Sequence, residues 1–147
     1  VGGQAIDLAA AGRVPGQTAR LDRAAALEDM HARKTGALIA ASATIGAVLA
    51  GAREAVVEAI GAYARELGLA FQIIDDVLDV EGSKEVLGKT AGKDAAAGKP
   101  TYPALYGLDE SRRKAAACVE RATGALVAAG VGGRLADIAA WSLERRA

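Results

Sequence analysis

The chain has 147 residues, with 18 Lys and Arg against 18 Asp and Glu, and 52% of its residues are hydrophobic and 24% charged. A formal charge of zero excludes the basic surplus of a general nucleic-acid or acidic-membrane binder, and the composition is that of a globular domain rather than a disordered polymer. The 37 alanines against five aromatic residues (Tyr63, Phe71, Tyr102, Tyr106 and Trp141) favour closely packed helices over a sheet, so the expected fold class is all-α, in a single domain spanning residues 1–147.

The first 12 residues read as the end of a helix stopped by Gly12, and Pro15-Gly16 mark a loop. Leu21, Ala24, Ala25, Leu27 and Met30 recur with helical period, which predicts a helix from Leu21 to His31. A second helix is expected from about Thr35 to Leu49, with Lys34-Thr35-Gly36 at the junction. Gly36 to Gly51 is uncharged but only 16 residues long, short of the roughly 20 a bilayer needs, so it reads as a buried helix and no membrane span is expected. The longest predicted helix runs from about Arg53 to Val80 and would extend roughly 40 Å.

Glu81 to Pro100 is rich in Gly, Lys and Asp, with Gly82, Gly88, Gly92 and Gly98, and is expected to be irregular apart from a short helix near Lys84 to Leu87. Long irregular segments inside compact domains are usually functional or disordered. Pro103 suits the first turn of a further helix, Gly107 interrupts it, and helices from Glu110 to Ala129 and Leu135 to Arg146 complete the set. No signal peptide is visible at Val-Gly-Gly-Gln, and the absence of an initiator Met suggests that residue 1 is not the biological start. A single Cys118 excludes an internal disulfide, and with a single His31 it cannot make an ordinary structural zinc site. The chain therefore reads as cytoplasmic.

The sharpest chemical feature is Phe71-Gln72-Ile73-Ile74-Asp75-Asp76-Val77-Leu78-Asp79. At about 100° per residue, Gln72, Asp75, Asp76 and Asp79 fall in one sector of roughly 100° and the apolar residues take the rest. Three carboxylates on one stripe suit a hard cation such as Mg²⁺, which takes oxygen ligands and bridges one or two carboxylates to substrate phosphates. The same stripe also reads as a solvated face, since Glu54, Glu58 and Arg65 extend it upstream. Like charges at helical spacing cost only about 0.2–0.5 kcal/mol per pair when exposed, so this helix by itself leaves both readings open.

The basic residues favour the metal reading, because Lys34, Lys89, Lys93 and Lys99 sit at a junction or in the Gly-rich segment, where ammonium groups can serve as point charges toward phosphate. A diphosphate held between Mg²⁺ and several lysines would use both sets. Gly82 to Thr90 is a Walker A decoy: five residues separate its glycines where the motif has four, and it follows a helix rather than a strand. Cys118 and His31 lack the supporting acid of a thiol nucleophile pair, so Cys118 reads as a buried structural residue, and Trp141 reads as packing.

Gly3-Gln4-Ala-Ile-Asp7-Leu8, Lys34-Thr35-Gly36, Phe71-Gln72-Ile-Ile-Asp75-Asp76-Val-Leu-Asp79, and the pair Gly88-Lys89-Thr-Ala-Gly92-Lys93-Asp94 and Gly98-Lys99-Pro-Thr101-Tyr102-Pro103 together resemble the trans-prenyltransferases, and among them the bacterial farnesyl and geranylgeranyl diphosphate synthases. The resemblance implies an antiparallel bundle of long helices around a deep cavity. It also implies Mg²⁺-dependent transfer of an allylic diphosphate's prenyl group onto isopentenyl diphosphate, and a homodimer when full-length.

By the same resemblance Asp75, Asp76 and Asp79 form the second aspartate-rich motif, with Asp75 a direct Mg²⁺ ligand, and Lys34, Lys89 and Lys99 bind the allylic diphosphate. Lys34, Thr35 and Gln72 are the catalytic set, Thr35 and Gln72 placing dipoles near the developing cation. Gln4, Asp7 and Asp94 are supporting polar groups.

The family's first aspartate-rich motif and its N-terminal basic set have no counterpart, since Asp75 and Asp76 are the only adjacent aspartates. The chain therefore reads as the C-terminal part of a synthase, inactive by itself. The alternatives are a half-length subunit completed by a partner chain and a non-catalytic helical domain. As a fragment it should expose the apolar faces of both the Gly36 to Leu49 and the Val56 to Val80 helices.

Overall fold

A computed structural model of the chain describes residues 20–86 and 100–145. These residues form helices α1 (Arg20–His31), α2 (Ala37–Leu49), α3 (Glu54–Val86), α4 (Tyr102–Tyr106), α5 (Leu108–Ala128) and α6 (Arg134–Glu144), with no strand among them. Among the described residues the all-α expectation is met and the helices follow the expected order, except that the separate short helix expected near Lys84 to Leu87 is continuous with α3 as far as Val86; the helix end expected in residues 1–12 lies outside the described residues.

Two boundaries differ from the sequence reading. Between α1 and α2 the chain does not break at Lys34-Thr35-Gly36. It runs on as a π-helical segment, Ala32–Gly36, in which the Ala37 N–H donates to the Ala32 carbonyl, five residues back. The 33-residue α3 continues to Val86, past the expected stop at Val80 and through Gly82. A single interior glycine costs only about 1 kcal/mol, which the packing of the rest of the helix outweighs. Pairing of Glu81 with Arg112 of α5 at 2.6 Å holds that extension against its neighbour.

α3 is the axis of the molecule. Its Tyr63, Ala64, Leu67, Ala70, Ile73 and Ile74 form one core with Leu27 and Met30 of α1, Tyr102 of α4, Ala115, Cys118, Val119, Ala122 and Leu126 of α5, and Ala139 of α6. α5 runs antiparallel to α3, as Arg112–Glu81 and Arg121–Glu66 show at successive heights. The Tyr63 hydroxyl donates to the Leu135 carbonyl at 2.7 Å and so ties α6 to the same helix.

α2 also runs antiparallel to α3, along small residues. Thr44 Oγ1 lies 3.6 Å from where a Cβ on Gly61 would stand, and Gly36 Cα lies 2.9 Å from where one on Gly68 would stand. This backbone-to-backbone approach at Gly68 fixes the height at which Lys34 and Thr35 meet α3, one turn before Gln72.

The exposure expected of both apolar helices holds only for α2. Leu38, Ile45, Val48 and Leu49 are exposed, whereas α3 is covered by α1, α5 and α6. The covering was hidden from the pattern because α5 carries its buried residues between charged ones. Among the described residues no helix is long and apolar enough to cross a membrane.

Candidate active site

The end of α1, the π-helical segment and the third quarter of α3 enclose a cavity of about 260 Å³ lined by Met30, His31, Lys34, Thr35, Phe71, Gln72, Asp75, Asp76, Asp79 and Pro100. All six sequence-predicted site residues that fall in the described part, Lys34, Thr35, Gln72, Asp75, Asp76 and Asp79, are therefore gathered at one place. Gln4, Asp7, Lys89, Asp94 and Lys99 lie outside the described residues. The π-helical turn Ala32–Gly36 lies in this wall, and such turns occur frequently at functional sites.

The acidic stripe divides by task. Asp76 is turned inward: its Oδ2 accepts the backbone N–H of Tyr102 at 2.9 Å and lies 3.9 Å from His31 Nε2. Tyr102 is the first residue of α4, so Asp76 satisfies one of the free N–H groups that every helix start presents and places a carboxylate at the positive end of the helix. Thr101 satisfies another, its Oγ1 accepting from the Ala104 N–H at 3.3 Å.

Asp75 is half-buried, with Oδ1 bonded to Nη2 of Arg145 and Oδ2 3.4 Å from Gln72 Nε2. Asp79 is exposed at the cavity rim. The fully solvated reading therefore fails for Asp75 and Asp76, each of which has a partner from a distant element.

Among the described residues no group of three or more His, Cys, Asp or Glu is arranged to hold a metal ion by itself. The donor set still fits Mg²⁺ shared with a diphosphate, because such sites use one or two carboxylates and take the remaining ligands from phosphate and water. Asp75 and Asp79 supply hard oxygens at the cavity, and Lys34, on the opposite wall, supplies positive charge.

Several participants escaped the sequence reading. His31 is 4% exposed and stacks on Tyr102 with ring centroids 5.7 Å apart, so the single histidine belongs to the wall of this cavity and Cys118 does not. Tyr102 in turn directs its hydroxyl to Glu28 at 3.3 Å, and burial first, then the Glu28 carboxylate, push its pKa far above the ordinary phenol value. Phe71 carries the Arg145 guanidinium 3.9 Å above its ring. No local motif could reveal Arg145, which is 70 positions from Asp75.

The Cys118 thiol is buried on α5, as expected, and accepts from Arg121 Nη2 at 3.1 Å. Trp141 is 60% exposed, so it is surface rather than core.

Residues 1–128 match the family model described as polyprenyl synthetase. The chain is 53% identical over 116 residues to a chloroplastic geranylfarnesyl diphosphate synthase of Leucosceptrum canum, covering 78% of this chain and 30% of that protein. It is 50% identical over 120 residues to a dimethylallyltranstransferase of Fischerella ambigua (strain UTEX 1903), covering 77% of this chain and 35% of that protein. Among solved structures, an apo FPP/GFPP synthase from Zymomonas mobilis superposes with a TM-score of 0.72 at 34% identity, covering 96% of this chain and 44% of that one. A geranylgeranyl pyrophosphate synthetase from the archaeon Geoglobus acetivorans gives 0.75 at 27% identity, covering 98% and 53%. The chain thus spans about a third of the length of these curated relatives and about half of these solved chains.

Proposed function

The chain belongs to the polyprenyl synthetase family, and from that premise we propose that it is the C-terminal part of a trans-prenyl diphosphate synthase. In this reading the full-length protein condenses an allylic diphosphate with isopentenyl diphosphate to a farnesyl or geranylgeranyl product. The observation that carries it is the cavity that joins Lys34, Thr35 and Gln72 to Asp75, Asp76 and Asp79 from elements far apart in sequence.

Ionisation of an allylic diphosphate leaves a carbocation and a highly charged leaving group, so the protein must neutralise one and shelter the other. Lys34, Lys89 and Lys99 bind the allylic diphosphate. Asp75, Asp76 and Asp79 would hold Mg²⁺ against the same diphosphate. Bound Mg²⁺ supplies Lewis-acid neutralisation of the departing diphosphate. Gln72, 8% exposed and backed by the core, and Thr35 present dipoles to the cationic carbon from fixed positions. Gln4, Asp7 and Asp94 are supporting polar groups. Aspartates for a second metal-binding wall come from outside this chain, which by itself is inactive. The full-length protein is a homodimer in this reading, supported by the uncharged, exposed face of α2.

The test is kinetic, in the full-length protein. Asp75→Ala should lower kcat by about 10²–10³-fold, because the charge that it helps neutralise is greatest in the transition state. Lys34→Ala should act mainly through KM, since a lysine on a ground-state diphosphate contributes largely uniform binding. Glu58→Ala, on the same stripe of α3 five turns upstream of Asp76, should be nearly silent. Wild-type turnover in Asp75→Ala removes the metal assignment, and equal losses at Glu58 and Asp75 remove the site.

A further inference from the structure

We propose that Arg145 is a built-in cationic latch: its guanidinium occupies the place at Asp75 that a metal ion takes, and metal binding must expel it, which couples the site to the C-terminal end of α6. The inference rests on the reading of Asp75 as a metal ligand, and adds a residue and a coupling that this reading does not contain.

The geometry is specific. Arg145 directly follows α6, and its backbone leaves the helical conformation there, with φ −57° and ψ 143°. Its side chain turns into the cavity wall, where Nη2 bonds Asp75 Oδ1 and the guanidinium carbon lies 3.9 Å from the centre of the Phe71 ring. The side chain is only 17% exposed, against 74% for Arg113 and 92% for Arg134, whose ion pairs are local and peripheral. With Oδ2 turned toward Gln72, both oxygens of Asp75 are engaged.

Two features make this a latch rather than a permanent strut. The pairing is made by one N–H instead of the two-pronged fork that gives arginine its strongest carboxylate contacts. The Nε–H of the same guanidinium is buried with no acceptor, and an unsatisfied buried donor is destabilising. A divalent cation on Asp75 would stand within a few ångströms of a full positive charge, in a partly buried site where screening by solvent is weak. The two cations are therefore mutually exclusive. Because the latched population cannot accept metal, apparent metal affinity is reduced by the fraction of molecules in which the latch is closed.

The experiment counts bound Mn²⁺ by its electron spin resonance in the full-length protein, with and without inorganic diphosphate, for wild type, Arg145→Gln and Asp75→Asn. It is paired with hydrogen exchange over residues 139–145 of the wild type. The latch predicts Mn²⁺ binding about three- to ten-fold tighter in Arg145→Gln. It also predicts faster exchange of the C-terminal segment in the wild type when metal is added, and equally fast exchange in metal-free Asp75→Asn.

Unchanged or weaker Mn²⁺ binding in Arg145→Gln, or wild-type exchange that metal leaves unaltered or slows, overturns the latch while the metal site stands. Absence of Mn²⁺ binding in both wild type and Arg145→Gln overturns the latch and the metal site together. The exchange measurement on the wild type decides the question even where the variant fails to fold.

Discussion

α2 and α3, which pack on each other beside the close approach of Gly36 to Gly68, are opposites in composition and in fate. α2, ALIAASATIGAVL, has no charged residue, yet only Ala47 is buried, and Leu49 is 83% and Leu38 71% exposed. α3 carries Glu54, Glu58, Arg65, Glu66, Asp75, Asp76 and Asp79, yet it supplies Tyr63, Ala64, Ala70, Ile73, Ile74 and Val77 to the interior, each 2% exposed or less. Apolar character thus measures the gain available from burial, while burial itself is decided by which neighbours reach which face. The chain meets α3 through Gly36, just before α2, and through Thr44 and Ile39 within it, so Leu38, Ile45, Val48 and Leu49 are left pointing away.

The largest effect that would break this contrast is in the core of α3. Ile73→Ala, at a site 1% exposed, should destabilise the fold by about 2–5 kcal/mol in denaturant titrations, because a cavity opens among α3, α4 and α5. Next comes the joint between the two helices. Gly68→Ala replaces glycine by a better helix former, yet its Cβ would meet Gly36 Cα at 2.9 Å, so the helices must part. A net loss of about 1–3 kcal/mol is expected, with a rise in KM as Lys34 moves away from Gln72. A stabilised Gly68→Ala would show that the close approach is not needed.

The covering of α3 by α5 has an alkaline signature. Burial pushes the Cys118 thiol up to about 11, with the Arg121 guanidinium opposing it and Glu66 reinforcing it. A thiol whose pKa is higher folded than unfolded leaves stability intact below the unfolded value near 8.5–9 and erodes it as pH rises through the folded one. The chain should therefore lose about 1–2 kcal/mol between pH 9 and 11, and Cys118→Ala should flatten that part of the profile. An identical slope in the variant would mean that α5 does not exclude water from the thiol.

The smallest effect belongs to α2. Leu49→Glu should change stability by no more than about 0.5 kcal/mol, and should reduce self-association in sedimentation. A loss comparable to that of Ile73→Ala would show the exposed face of α2 to be folded against something within the chain itself.

Much of the site was legible in advance, because its carriers are local. Gln72, Asp75, Asp76 and Asp79 share a stripe by helical period alone, and Lys34-Thr35 stands in a short motif of its own. The helix order followed from apolar spacing and from Pro103 and Gly107. What escaped were the long-range partners, His31, Tyr102 and Arg145, whose meetings with Asp76 and Asp75 span 45, 26 and 70 positions. The end of α3 escaped as well, since Gly82 reads as a breaker until Arg112 is placed beside Glu81.

The sequence by itself determined the helical class and the acidic stripe, since these depend on backbone periodicity and side-chain type, both local properties. Only the tertiary structure decided that Asp76 anchors the start of α4, that Asp75 faces an arginine, and that the uncharged, strongly apolar α2 stays largely exposed. Each of those outcomes is set by which surfaces come within a few ångströms of each other, and the decisive approach is that of Gly36 to Gly68, where two residues without side chains let the two backbones touch.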